Sequence, residues 1–327
     1  MVDLSVKYLG LKLRNPFIAS SSGLTDSLAR VVALADAGVG AVVLKSLFEE
    51  QIVNQAHVVP NSYDYPEAYD YIQGYVQSHA VEPYIKLVAD AKKEVDIPII
   101  PSVNCVGKGQ WVEFASKLEQ AGADALELNV HLLPTTVDEP ATAVERQYFD
   151  IIQSVVDSVR IPVSVKLTHN LTNPLNVMQQ LHFRGVKGVV LFNRYYEPDI
   201  DLTTLKPTMA PIFSTDRELY PTLRWVALAR PQLPDLDMAV SSGIHTGKKA
   251  AKAIAVGANA VQVCSVLYMR SVQHVKVLLE ELSAAIATTP RATAAALRGA
   301  AASTSSENLT LFERSQFMKY FSEHKEE

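Results

Sequence analysis

The sequence predicts an α/β protein folded as a (β/α)8 TIM barrel, with long insertions in two of its βα loops. Three observations carry the prediction. Eight short apolar runs recur along the 327 residues. The intervals between them hold helix-like segments such as "DSLARVVALADAG" and "WVEFASKLEQAGA". Several of these segments reach a glycine just before the next apolar run, at Gly38, Gly122, Gly185 and Gly257. A run that is apolar nearly throughout suits a parallel strand covered on both faces, and each parallel connection leaves room for a crossover helix. A glycine at a helix end can take the left-handed conformation that closes the last turn. Length alone would suggest about two domains, but α/β barrels often use it for one, so a single domain over 1–327 is expected.

The candidate strands are, in order, "PFIAS" (16–20), "GAVVLK" (40–45), "IPIIPSVN" (97–104), "ADALELN" (123–129), "IPVSVKL" (161–167), "GVVLFN" (188–193), "LDMAVSS" (236–242) and "NAVQVCS" (259–265). Two insertions break the rhythm, residues 46–84 after the second strand and 194–222 after the sixth. The first is rich in tyrosine, in "NSYDYPEAYDYIQGYVQSHAVEPY". Both fall on the side of a barrel where βα loops build active sites, so they either roof a pocket or form a subunit interface. The C-terminal part, about 285–327, reads as a helical tail whose Ala-, Ser- and Thr-rich stretch carries no nameable chemistry.

Bulk properties limit the function classes. Hydrophobic residues make up 48% and charged residues 20%, an ordinary globular balance with ample material for a core. A formal net charge of -5 and a pI near 5.9 argue against a broad basic surface for nucleic acid or anionic membrane. A small-molecule partner is expected instead. The two cysteines, Cys105 and Cys264, lie far apart and lack His or Cys neighbours at ligand spacing, so no disulfide framework, zinc module or iron–sulfur module is indicated. That usage suits a reduced, cytoplasmic protein. The N-terminal "MVDLSVKYLGLKLRNPF" has no continuous apolar core of a signal peptide, and no later run reaches the roughly 20 apolar residues of a membrane span.

Function should sit at the C-terminal ends of the strands. Those ends read Ala19-Ser20-Ser21, Lys45-Ser46, Asn104, Asn129, Lys166, Asn193, Ser241-Ser242-Gly243 and Cys264-Ser265. Two lysines and three asparagines around one mouth call for a large polar or anionic ligand. "SSGIHTG" after the seventh strand offers small residues and backbone N–H groups, and "CSVLY" after the eighth opens a helix. Barrels commonly hold phosphate at that corner. The glycine-containing "GVGAVV" (38–43) precedes a strand instead of following one, which makes it a poor dinucleotide fingerprint.

These residues resemble the flavin-dependent dihydroorotate dehydrogenases, especially their class 1 members, and the related barrel of dihydropyrimidine dehydrogenase. The resemblance runs from "LGLKLRNPFIASSSG" through "VVLKS", "ADALELN", "PVSVKL", "VVLFN" and "SSGIHTGKKAAKAIAVGANAVQVCSVLY" to "LRG". It implies a homodimeric barrel with bound FMN. Ser242, Gly243, Cys264 and Ser265 would then hold the phosphate, and Ala19, Ser20, Ser21, Lys45, Ser46, Asn104, Asn129 and Lys166 would surround the rest of the cofactor. Asn129 and Asn193 match substrate-facing asparagines, with Lys45 and Asn61 as further substrate-binding candidates. A lysine at Lys166 would stabilise negative charge developing on the flavin.

One stretch departs from the family. "ALELNVHLLPTTVDEP" (125–140) places Leu132 where the family carries its Cys or Ser base, and a leucine accepts no proton. His131, one residue away, is an imidazole suited to that task near neutral pH. It either serves as the base or simply caps the loop. His169 in "KLTHN" is its rival, and Cys105 reads more simply as a small hydrophobe. The expected activity is FMN-dependent oxidation of a CH–CH bond beside a carbonyl, with dihydroorotate as one substrate. Two other readings remain open: a Schiff-base lyase using Lys166, and a flavin-binding barrel that has lost catalysis.

Overall fold

A computed structural model describes residues 2–48, 81–104, 111–195, 197–302 and 306–314. The chain opens with a hairpin, β1 (Val6–Tyr8) paired antiparallel to β2 (Leu11–Leu13), and then enters the barrel at β3 (Phe17–Ala19). The second barrel strand is β4 (Ala41–Val43) resumed as β5 (Leu47–Phe48), and the third is β6 (Ile99–Ile100) resumed as β7 (Ser102–Asn104). Five more follow: β8 (Leu126–Leu128), β9 (Val163–Lys166), β10 (Gly188–Leu191), β13 (Asp237–Val240) and β14 (Ala260–Val263). Each coincides with a run expected to be a strand.

The circle is closed at both halves of the interrupted strands. β4 pairs with β6 and β5 with β7, while β14 returns to β3 with Val263 opposite Ala19. All of these pairings are parallel. Pro101 sits between β6 and β7, where its missing N–H removes a rung, yet its carbonyl still accepts from Glu127 N at 2.9 Å. Strand residues are buried almost without exception, as parallel strands covered by helices must be.

Helices follow the strands around the outside, including Leu28–Ala37, 81–94, Trp111–Gln120, Ala141–Val156, Pro174–Phe183, Leu219–Ala229 and Gly247–Ala255. The four glycines read as helix closers all have positive φ, from 89° at Gly185 to 125° at Gly257. At Gly38 the N–H donates to both Leu34 O and Ala35 O, which satisfies carbonyls the helix leaves unpaired.

The N-terminal hairpin closes the lower end of the barrel. Leu9 N donates to Asp237 Oδ2 at 2.7 Å, and Asn259 Nδ2 donates to Lys7 O at 3.0 Å. Asp237 begins β13 and Asn259 precedes β14, so the hairpin is fastened to strand starts. Fit is tight: a Cβ on Gly188 would lie 2.6 Å from Leu9 Cδ2. Burial raises the Asp237 carboxyl pKa, and the Leu9 N–H and the Arg230 guanidinium oppose that rise.

Of the two insertions, residues 49–80 of the first lie outside the described residues, as does Asn61. The second forms an antiparallel hairpin, β11 (Pro198–Asp201) and β12 (Lys206–Met209), exposed along its whole length. Arg194 secures its base: Nη2 donates to Pro211 O at 2.7 Å, Nη1 to Ile212 O at 2.9 Å, and Nε to Glu218 Oε2 at 3.2 Å. In the C-terminal part, the helix His274–Ala287 packs on Gly247–Ala255 so closely that a Cβ on Gly247 would lie 2.2 Å from Leu282 N. Among the described residues no helix is long and apolar enough to cross a membrane.

Candidate active site

The upper ends of the strands surround a polar cleft. Of the residues expected there, Ser20, Ser21, Lys166, Asn193, Ser242, Gly243, Cys264 and Ser265 line it together. Strand geometry explains the convergence, because each of them ends or immediately follows a parallel strand whose apolar body is fixed in the barrel.

Lys166 is the centre of this arrangement. Only 6% exposed at the end of β9, it donates from Nζ to Gln262 Oε1 at 3.0 Å and to Ser20 Oγ at 3.1 Å. Its ammonium lies 4.0 Å from Glu127 Oε1, and Gln262 Nε2 donates to Glu127 Oε2 at 2.5 Å. Burial pushes the Glu127 carboxyl above its usual range, while Lys166 and Gln262 pull it back. Glu127 Oε1 makes no hydrogen bond. A cation held by neutral oxygens at the cleft and by one carboxylate beneath it is preorganised to meet negative charge arriving from above.

A second chain of hydrogen bonds ties three strand ends together. Ser46 N donates to Ser21 Oγ at 2.8 Å, and Ser46 Oγ meets Ser102 Oγ at 2.7 Å. Tyr84 OH donates to Ser102 O and accepts from Ser102 N, at 3.2 and 3.0 Å. Ala19 is buried at the end of β3, and Asn104 ends β7 half-buried. Lys45 is exposed, and its backbone N–H donates to Thr25 O. Across the mouth, Asn193 Nδ2 donates to Asn129 Oδ1 at 2.8 Å, which leaves each amide with hydrogen-bonding groups free for a ligand.

The corner after β13 and β14 has the backbone of an anion cradle. Ser242 and Gly243 both have positive φ, 68° and 71°, so the backbone turns sharply where these two residues line the cleft. A Cβ on Gly243 would lie 2.6 Å from Leu219 N. Ser214 joins this corner by accepting from Gly243 N at 3.4 Å, donating its own N–H to Ser265 Oγ at 3.0 Å, and meeting His245 Nε2 at 3.1 Å. Cys264 precedes the helix Ser265–Met269, half-buried, and burial raises its thiol pKa.

The loop after β8 gives the divergent stretch its shape. Leu132 packs against the core, whereas His131 stacks on Tyr195 with ring centroids 3.9 Å apart and planes 23° from parallel. Its Nδ1 is buried without a hydrogen-bond partner, and burial lowers the imidazole pKa. His169 is exposed. Cys105 lies outside the described residues.

The whole barrel is accounted for by one comparison: a family model described as dihydroorotate dehydrogenase matches residues 3–286. The chain belongs to the dihydroorotate dehydrogenase family. Its similarity to individual members is moderate. The catalytic subunit of dihydroorotate dehydrogenase B (NAD(+)) from Methanocaldococcus jannaschii is 26% identical over 289 residues, covering 85% of this chain and 92% of that one. Chloroplastic dihydropyrimidine dehydrogenase (NADP(+)) from Arabidopsis thaliana is 28% identical over 311 residues, covering 86% and 72%. Dihydroorotate dehydrogenase A (fumarate) from Limosilactobacillus reuteri is 28% identical over 279 residues, covering 80% and 86%. The family is one of dehydrogenases.

Sequence reading missed several lining residues: Gln262, Arg194, Ile212, Ser214 and Ile244. Gln262 and its partner Glu127 did leave a signal, as polar residues inside the apolar runs "NAVQVCS" and "ALELN". A buried polar side chain requires a partner, so two such positions in one barrel predict each other. Ser214 and Ile212 left none, because the insertion that carries them has no strand period to read.

Proposed function

We propose that this chain is an FMN-dependent oxidoreductase that oxidises, or in reverse reduces, a CH–CH bond beside a carbonyl in a cyclic, pyrimidine-like small molecule. The carrying observation is Lys166, a buried cation at the floor of a polar cleft whose far corner is an anion cradle. The residues fit FMN in kind. Ser242, Gly243, Cys264 and Ser265 would hold its phosphate, where Gly243 leaves the backbone bare and a side chain has no room. Ala19, Ser20, Ser21, Lys45, Ser46, Asn104, Asn129 and Lys166 would surround the remainder.

When bound, FMN supplies a two-electron acceptor. Lys166 would offer positive charge to the reduced cofactor, and Glu127 and Gln262 keep its ammonium in place. Asn129 and Asn193 offer donor and acceptor atoms to the carbonyl and N–H edges of the substrate, and Lys45 and Asn61 are further candidates for binding it. His131 takes the proton. Its lowered pKa keeps the imidazole neutral and able to accept at physiological pH. Leu132 packs against the core and can accept no proton.

The proposed protein is cytoplasmic, a single domain over 1–327, and a homodimer. The hairpin β11–β12 supports the dimer, since Leu202, Leu205 and Met209 are all exposed on it and apolar surface of that kind favours a partner. Sedimentation velocity tests the dimer. The activity is tested on the purified chain: flavin absorbance in one-to-one ratio, bleached anaerobically by dihydroorotate or by another cyclic carbonyl compound, is the expected result. A colourless preparation that takes up no added FMN refutes the proposal, and borohydride trapping of substrate on Lys166 in such a preparation would mark a lyase instead.

A further inference from the structure

A second cavity, of about 400 Å³, lies between the loop after β8 and the loop after β9. Its wall is mostly apolar, with Leu132, Val144, Tyr148, Phe149 and Leu171. Among the described residues, the charged ones on it are Glu139 and Glu145, and no lysine or arginine lines it. Arg184 stacks over the Phe149 ring at 4.5 Å without lining the cavity, and its guanidinium is held by Gln180.

Polar atoms without partners gather here. His131 Nδ1 and Tyr148 OH are both buried and make no hydrogen bond. His131 and Tyr148 line the cavity, and Tyr195 is stacked against His131. Buried polar atoms in native proteins are nearly always satisfied, so two orphans on one cavity wall mark a place for a ligand atom or bound water. The loops that line the cavity continue the strands β8 and β9, at whose upper ends stand Asn129 and Lys166. His131 follows Asn129 by two residues, and Thr168 on the wall follows Lys166 by two.

We propose that this cavity receives the part of the substrate remote from the reacting bond, and that this part is an uncharged apolar ring bearing one hydroxyl or carbonyl. The ring meets the aliphatic and aromatic wall, and its single polar atom satisfies Tyr148 OH and His131 Nδ1. A carboxylate would instead sit beside Glu139 and Glu145, with no cation among the described wall residues to balance it. That this ligand is part of a substrate rests on the oxidoreductase reading; the ligand chemistry of the cavity does not.

Isothermal titration of the purified full-length chain decides the matter, with 1-naphthol as an uncharged ring carrying one hydroxyl and 1-naphthoate as the same ring carrying a carboxylate. Naphthol is expected to bind one-to-one and at least about tenfold more tightly than naphthoate, a difference of about 1.4 kcal/mol. Val144→Trp, which places an indole in the cavity, should weaken naphthol by at least a further factor of about ten. Tyr148→Phe removes one hydroxyl with little change of shape and should weaken it about threefold to tenfold. It keeps the test decisive should the tryptophan variant fail to fold. No binding of naphthol, equal binding of naphthoate, or undiminished binding by the Tyr148 variant overturns the proposal. A colourless chain that binds naphthol in the expected pattern would overturn the oxidoreductase reading and support the cavity's ligand chemistry; a yellow chain that fails to discriminate would do the reverse.

Discussion

Replacing Lys166 by methionine should destabilise the fold in a way that depends on pH, because the ammonium is what makes the Glu127 carboxylate tolerable inside the barrel. The two charges are 4.0 Å apart and their side chains are 8% and 1% exposed. At an effective dielectric constant of about 20, that separation corresponds to an attraction of about 4 kcal/mol. Without it, nothing but Gln262 opposes the burial that already raises the Glu127 pKa. The folded pKa then rises further above the unfolded value, so the folded state binds the extra proton, and stability falls as pH climbs from about 4.5 through the folded pKa. Lys166→Met is therefore expected to cost about 3–5 kcal/mol at pH 8 and distinctly less at pH 5, where Glu127 can take the proton. The assay is urea unfolding of flavin-free protein, which removes the stabilising effect of a bound ligand. Glu127→Gln and the double variant complete a cycle, and a coupling of about 2–4 kcal/mol is expected at pH 8. A coupling below about 0.5 kcal/mol, or an equal loss at both pH values, would show that the pair does not hold the lysine.

Three further outcomes follow from the same geometry. Gly243→Ala places a methyl 2.6 Å from Leu219 N at a residue with φ of 71°, so a loss of about 2–4 kcal/mol is expected in denaturant unfolding, with weakened FMN uptake by equilibrium dialysis. His131→Ala should slow substrate-driven flavin reduction about 100- to 10,000-fold in stopped flow while leaving FMN bound. In the parent that rate should rise with pH as the imidazole loses its proton and level off below the ordinary histidine pKa, since burial lowers it; a rate independent of His131 removes it from the mechanism. Asn259→Ala removes the side chain that donates to Lys7 O and Asp237 Oδ1 and accepts from Met238 N and Arg230 Nη2, and should lower stability by about 2–4 kcal/mol with little effect on FMN affinity.

The barrel was legible because its strands are buried on both faces and therefore apolar throughout, from "PFIAS" to "NAVQVCS". The cleft was legible at strand ends, where Lys166, Asn129 and Ser242 interrupt that pattern in register with one another. Two things could not be read. Tyr195 meets His131 only because the loops after β10 and β8 approach each other, and nothing in either loop's local sequence encodes that approach. The hairpin at the lower end was equally silent. "VKYLGLKL" shows a Leu-Gly turn, but its anchors, Asp237 and Asn259, look like ordinary strand-start residues until the strands are arranged in a circle.

That hairpin also imposes an order on events during synthesis. Leu9 precedes every barrel strand, yet the carboxylate that receives its N–H is 228 positions later, and β3 waits still longer for β14. A growing chain therefore carries an unsealed barrel with a bare edge on β3 until β14 has emerged. Bare edges and exposed apolar strands invite association with other nascent chains, and contacts of such long sequence separation form slowly. Truncations that end before 237 should consequently be captured by chaperones or aggregate, however intact their first six strands.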